Sequence, residues 1–272
     1  MVRRSDICVV AHDATYGNCT ELARALGCKL TLFSKDPKGM YKKYPHERFI
    51  QQADEYILVG TFVIRDLKES FYLNKKVKII LVGTCYRREP QRWNRFFKEK
   101  GWEVHAIADL SKYAKTKNIY YQPFDINIKV EKNDRLTVSH SPGTPLKFKD
   151  KDTLLISETV RRFDVDYDMI IGLSQEETIK RRAKSHIFVD QLKYTWGKSS
   201  LEAMLTGCLV INGPDMGIEG QPPIAWATRE TLEGVLGYYI THPAERDQKI
   251  AEQYRWAKKN LSYKTVIKRL CS

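Results

Sequence analysis

Residues 194 to 211 read YTWGKSSLEAMLTGCLVI, and several have the types and spacing to hold a charged ligand. Gly197 lets a backbone come close to a bound group. Behind it Lys198, Ser199 and Ser200 open a helix whose apolar positions Leu201, Met204 and Leu205 recur at helical spacing. Amides at a helix N-terminus face outward at the positive end of the helix dipole, so this turn is a seat for phosphate, and Lys198 adds a full charge. Glu202, one turn in, is an acceptor for two ribose hydroxyls. Phosphate seat and ribose acceptor together describe a nucleotide diphosphate. The same letters have a purely structural use. Ser199 followed three positions later by Glu202 is a capping-box pattern, and Gly207 is a left-handed helix stop.

Other residues with chemical capacity sit at the ends of apolar runs. In VVAHDATYGN (9–18), His12, Asp13, Gly17 and Asn18 follow the first run, and Asp13 or His12 is a candidate base for deprotonating a hydroxyl. The alternative makes Asp13 a turn cap and His12 a surface residue. In SHSPGT, Ser141, Gly143 and Thr144 can offer donors to phosphate, while His140 reads as a loop residue held by hydrogen bonds. GPDMGIEGQPP (213–223) is a glycine- and proline-rich loop able to wrap a base or sugar, or simply a long connection. In RREPQRWNRFFKEK (87–100), Arg88, Arg92 and Arg95 fall on one helical stripe, with Trp93, Phe96 and Phe97 on the other. A basic face over an aromatic core suits backbone phosphates. KRRAK (180–184) is a second positive patch. DVDYD (164–168) has the letters of a metal motif but precedes a strand, where acids at a turn are usual, so no metal site is expected.

These residues need a scaffold that brings strand ends together, and the pattern supplies one. ICVV (7–10), CKLTLF (28–33), EYILVG (55–60), VKIILVG (77–83) and WEVHAI (102–107) alternate with amphipathic stretches such as NCTELARALG (18–27). β-branched runs bounded by glycine and separated by helices indicate parallel strands with crossovers. After the polar stretch 120–135 the pattern restarts. LTVSH (136–140), YDMIIG (167–172), HIFVD (186–190) and CLVIN (208–212) alternate with helices over 151–163, 174–184 and the opening stretch. The tail 243–270 reads as a long helix and a shorter one. The expected architecture is α/β: two Rossmann-like domains, 1–127 and 128–250, with an interdomain cleft as the site. Helices in 251–272 are expected to cross back to the first domain.

Composition narrows the function classes. Lys and Arg number 46 against 33 Asp and Glu, a net charge of +13 spread along the chain, which favours polyanionic partners. No apolar run approaches the ~20 residues of a membrane span. Six scattered cysteines show no metal spacing and read as reduced thiols, consistent with a cytoplasmic protein.

HIFVDQLKYTWGKSSLEAMLTGCLVINGP resembles the donor-binding segment of the GT-B fold glycosyltransferases, and LTVSHSPGTPLKFKDKDTLL (136–155) resembles the first strand and loop of the same domain. KIILVGTCYRR (78–88) matches the N-terminal strand and loop of that family more loosely, which puts Thr84, Arg87 and Arg88 beside the acceptor. The resemblance implies a diphosphate held by the glycine turn and by Lys147 and Lys149, a ribose held by Glu202, and no requirement for metal. UDP-sugar is the expected co-substrate. Many retaining members carry a second glutamate eight positions before the helix one, and here Tyr194 stands there.

The expected activity is transfer of a sugar from a nucleotide-sugar to an acceptor hydroxyl. Among acceptors used by similar enzymes, the charge favours a hydroxymethylated base in DNA, as in phages, with arginines tracking phosphates and the base turned into the cleft. Lipid or glycan acceptors, a nucleotide-sugar epimerase, and a non-enzymatic nucleic-acid-binding protein are the competing readings.

Overall fold

The glycine-bounded apolar runs form two five-stranded sheets, every strand pair of which is parallel. The computed structural model describes residues 7–12, 16–33, 53–61, 63–64, 69–82, 85–107, 110–124, 127, 129–143, 148–149 and 151–271. The chain divides into two compact units, one of 1–124 with 263–272 and the other of 125–262.

In the first unit the strands are β1 (Ile7–His12), β2 (Lys29–Phe33), β3 (Glu55–Val59), β4 (Lys76–Leu81) and β5 (Glu103–Ala106), in the order β2-β1-β3-β4-β5. Helix α1 (Tyr16–Leu26) follows β1 and stops at Gly27, whose φ of +63° is the left-handed conformation glycine adopts most readily. Two short helices come next, α2 (Glu69–Tyr72) and α3 (Cys85–Arg88), and then α4 (Pro90–Lys100) and α5 (Leu110–Ala114). Trp93 and Phe97 are buried with Tyr56, Tyr86 and Trp102, so the aromatic side of α4 belongs to the core. The expected single helix over 87–100 is broken. Pro90 has no amide to donate, so it cannot continue α3 and instead takes the first position of α4 behind Glu89.

In the second unit the strands are β6 (Thr137–Gly143), β7 (Asp166–Ile171), β8 (Ile187–Val189), β9 (Leu209–Asn212) and β10 (Ala225–Trp226). Their order, β7-β6-β8-β9-β10, repeats that of the first sheet strand for strand. Helices α6 (Thr153–Val160), α7 (Gln175–Ala183), α8 (Lys198–Leu205), α9 (Leu232–Thr241) and α10 (Pro243–Leu261) complete it. Strand β10 and helix α9 have no counterpart among the expected elements; a two-residue strand leaves no periodicity to read. Because β10 is so short, Val210 on β9 lacks a strand partner on that side. The buried side chain of Gln253 fills the gap, accepting from Val210 N at 2.8 Å and donating to Val210 O at 3.2 Å. Lys132, ahead of β6, closes the opposite end of α8 by donating to Thr206 O at 3.0 Å and Ser185 O at 2.5 Å.

The tail is the expected long helix and shorter one. Helix α10 stays with the second unit through Leu261, and only α11 (Tyr263–Cys271) belongs to the first, a later changeover than the 251 expected. Its ties are specific: the Tyr263 hydroxyl donates to Glu21, and the buried Lys78 ammonium donates to Leu270 O while lying 3.0 Å from Glu103.

Candidate functional site

A parallel sheet offers ligands the crevice where strand order reverses, outside the carboxyl ends of the two diverging strands. In the second unit those strands are β6 and β8. The first turn of α8, where the sequence reading expects a phosphate seat, follows β8.

Helix α8 begins two residues earlier than a Ser199 cap requires. Gly197 is its N-cap, with φ −136° and ψ −162°, and no side chain caps the turn. Ser199 and Glu202 thus lie inside the helix and form no capping box. The conformation of Gly197 is open to any residue, and a Cβ built there would meet nothing within 4 Å. Neither backbone strain nor packing asks for glycine at this point. Gly213, by contrast, is required by its surroundings: a Cβ would lie 2.3 Å from Ala227 O and 2.6 Å from Leu192 O.

Beneath the seat is a buried polar chain. Asp190, directly after β8 and fully buried, is paired with Lys151 and accepts from Ser200 Oγ at 2.7 Å. Asn212 Nδ2 donates to Ser200 Oγ at 2.7 Å, and Gly213 N donates to Asn212 Oδ1 at 2.8 Å. Burial pushes the Asp190 carboxyl up, but the Lys151 ammonium and the Ser200 hydrogen bond outweigh it and hold the group below the ordinary carboxylate range. Ser200, expected as a ligand donor, therefore has its hydroxyl turned inward; only its backbone remains for a ligand.

His140 is on β6 rather than in a loop, and it is buried. Its Nδ1–H donates to Val189 O at 2.8 Å, and Nε2 accepts from Thr153 Oγ1 at 2.9 Å. Burial lowers its pKa below that of a free histidine. Next to Thr153, Asp152 takes a left-handed φ of 54° to accept from Arg229 Nε at 2.8 Å and Leu192 N at 3.3 Å.

Glu202 is buried on α8 and bound from two sides. Arg182 Nη1 donates to its Oε2 at 2.9 Å and Gln175 Nε2 to its Oε1 at 3.0 Å, with Lys198 Nζ 3.8 Å away. Arg182, only 1% exposed, lies 4.6 Å over the Phe188 ring and reaches Ser199 O at 3.4 Å. The expected KRRAK patch loses Arg182 to the interior, while Lys180, Arg181 and Lys184 remain on the surface. Lys180 pairs with Glu176, Arg181 with Asp168, and Arg182 is interior. The acids of DVDYD are engaged too, Asp164 and Asp166 with Arg135 and Asp168 with Arg181.

The remaining candidates are placed as follows. Gly143 ends β6 with φ +82°, and Lys149 is exposed in a turn. Thr144, Lys147, Thr84 and Asp13 lie outside the described residues. His12 ends β1 and Gly17 lies in α1, but the His12 side chain is not among those described. Arg87 and Arg88 close α3, whereas Arg92 and Arg95 are on α4, so the expected single stripe is divided between two helices. Arg92 pairs with Glu89 at 2.8 Å, while Arg88 and Arg95 are exposed.

Sequence reasoning missed Asp190, Lys151, Asn212, Gln175 and Arg182. Asp190 carried a readable signal, an acid closing a wholly apolar strand. Arg182 carried none, since three neighbouring bases look alike until the helix face is known.

No protein-family model matches the chain, and no curated protein matches it by sequence. Solved structures do match in fold. A glycosyltransferase from Rickettsia africae is 11% identical, with a TM-score of 0.66 over 99% of this chain and 97% of that one. Anabaena HepE in complex with UDP and glucose is also 11% identical, with a TM-score of 0.70 over 98% of each chain. HepE in complex with UDP-glucose gives 0.61 at 12% identity over 97% of this chain and 98% of that one. The likeness, together with the twin parallel sheets, is that of the GT-B fold expected from the sequence.

Proposed function

We propose that the protein is a glycosyltransferase that takes a sugar from a nucleoside diphosphate donor, most simply a UDP-sugar, and passes it to an acceptor hydroxyl. One observation carries the reading. Gly197 opens an uncapped helix at the strand-order reversal, and nothing among the described residues requires glycine there. A ligand backed against those amides supplies the reason, because only glycine lets a diphosphate approach that closely. Support for the donor class comes from HepE, solved with UDP, glucose and UDP-glucose.

In this reading the diphosphate rests on the amides of Lys198, Ser199 and Ser200, with Gly143, Thr144, Lys147 and Lys149 contributing. Glu202 accepts the ribose hydroxyls. The cations and the helix dipole stabilise the departing diphosphate as the acceptor oxygen attacks the anomeric carbon. Asp13 or His12 takes the acceptor proton, and no resident metal is needed. Incubation with a panel of UDP-sugars, following UDP release with and without acceptor, tests the whole. Acceptor-dependent release is expected. Conversion of the sugar nucleotide without acceptor would instead identify an epimerase, and binding of nucleic acid with no turnover a non-enzymatic protein. Full activity in the presence of a chelator is expected, and loss restored by a divalent cation would refute the metal-free scheme.

For the acceptor we propose a hydroxymethylated base in DNA. The net charge of +13 supports it, as does the burial of Trp93 and Phe97, which leaves the aromatic side of α4 unavailable as a lipid anchor. Among the described residues no helix is long and apolar enough to cross a membrane. Thr84, Arg87, Arg88, Arg92 and Arg95, with Gly17, form the proposed acceptor set. Duplex DNA binding should weaken steeply with salt, and changing Arg88, Arg92 and Arg95 together should flatten the slope. Sugar transfer to a lipid or glycan, with none to hydroxymethylated DNA, would end this assignment.

A further inference from the structure

Arg182 and Gln175 hold Glu202 in a way that no capping or packing role requires. A buried guanidinium cannot shed its proton, so it needs a carboxylate, and Glu202 is that partner at 2.9 Å. Charge neutralisation alone could be met by any rotation of the carboxylate. Here both oxygens are fixed, Oε2 by Arg182 and Oε1 by Gln175 at 3.0 Å. The guanidinium is itself immobilised, stacked 4.6 Å over Phe188 and hydrogen-bonded at 3.4 Å to Ser199 O in the first turn of the seat. An ionised carboxylate accepts about four hydrogen bonds, so each oxygen keeps a second lone pair after these two are made. Two acceptor sites at fixed separation on one rigid plane match a pair of neighbouring hydroxyls.

We propose that Arg182 and Gln175 are positioning residues that turn the Glu202 carboxylate toward a vicinal diol, and so restrict the seat to ribonucleotides over 2′-deoxyribonucleotides. The inference rests on the nucleotide-donor reading above, in which Glu202 meets the ribose, and adds to it the two residues that orient that carboxylate. Lys198 Nζ lies 3.8 Å from the same Oε1.

The test is calorimetric binding of UDP and 2′-deoxy-UDP to the intact chain and to two variants. Hydrogen bonds to charged groups contribute roughly 1.5–3 kcal/mol, which is about 10- to 100-fold in affinity. The unaltered protein should therefore prefer UDP over its deoxy counterpart by at least ~10-fold. Gln175 is exposed at the start of α7, so Gln175→Ala should fold normally. It should lose most of the preference by weakening UDP while leaving 2′-deoxy-UDP binding nearly unchanged. Arg182→Lys keeps the charge but loses the planar fork and should do the same where it folds; if it does not fold, Gln175→Ala decides alone. A merely structural role would lower both affinities together or neither. Full preference retained in a folded Gln175→Ala overturns the positioning role and leaves the donor reading standing. UDP bound by the unaltered protein with no preference also overturns it. Failure of the unaltered protein to bind UDP, GDP or ADP at all overturns the donor reading and this inference with it.

Discussion

The Glu202 carboxylate lies 2.9 Å from the Arg182 guanidinium, and neither side chain has more than 5% of its surface in water. Breaking such a pair from one side strands a buried charge, at a cost of about 3–5 kcal/mol. Glu202→Ala should therefore destabilise the second unit by that amount and abolish UDP binding. Glu202→Gln keeps shape and one acceptor, so it should fold better than the alanine variant yet bind UDP about tenfold or more weakly. Denaturant melts and calorimetry on both separate stability from binding. UDP affinity unchanged in Glu202→Gln would remove the ribose role.

Gly197→Ala isolates the seat from the fold. The backbone there is open to alanine and the space for a Cβ is empty, so loss of stability should not exceed about 1 kcal/mol, the usual scale for an N-cap. UDP binding should fall at least about tenfold, because the methyl group occupies the approach to the amides. Equal affinity in the variant would show that no ligand comes close at this point.

Gly213→Ala makes the opposite prediction. Its Cβ would press on two backbone carbonyls that cannot swing aside, Ala227 O and Leu192 O. A loss of roughly 3 kcal/mol is expected, visible as a lower denaturation midpoint. A variant as stable as the parent would show that the 213–227 connection relaxes freely.

Stability should fall on mild acidification. His140, His105 and His186 are each lowered below the free-histidine value, in every case chiefly by burial. Below about pH 6.5 the unfolded chain takes up protons that the folded chain refuses. Their contribution is complete above the unfolded value and is lost as pH drops through the folded ones. Urea unfolding at pH 7.5, 6.5 and 5.5 should show a progressive decline. His140→Gln, whose amide can donate to Val189 O and accept from Thr153, should reduce the slope. A pH-independent midpoint across that range contradicts the buried neutral state.

The sequence by itself determined the α/β class, nearly all the strands, the restart of the pattern after residue 135 and a helix start just behind Gly197. Those features are local: apolar runs bounded by glycine, helical periodicity, and a glycine ahead of a lysine and two serines. What only the tertiary structure decided concerns which way side chains face. Ser199 and Glu202 have capping-box spacing, but the backbone enters α8 at Gly197, which moves both inside the helix. Ser200 reads as a ligand donor, yet Asp190 and Asn212, brought together from two strand ends, turn its hydroxyl inward. Arg88, Arg92 and Arg95 have one-stripe spacing until Pro90 restarts the helix. Arg182 is indistinguishable from Lys180 and Arg181 in the string KRRAK, and becomes interior only because its face of α7 packs against Phe188 and Glu202. Residue types and spacing fix what a chain can present; the partners of a charge are chosen by contacts between segments far apart along it, and no local pattern encodes them.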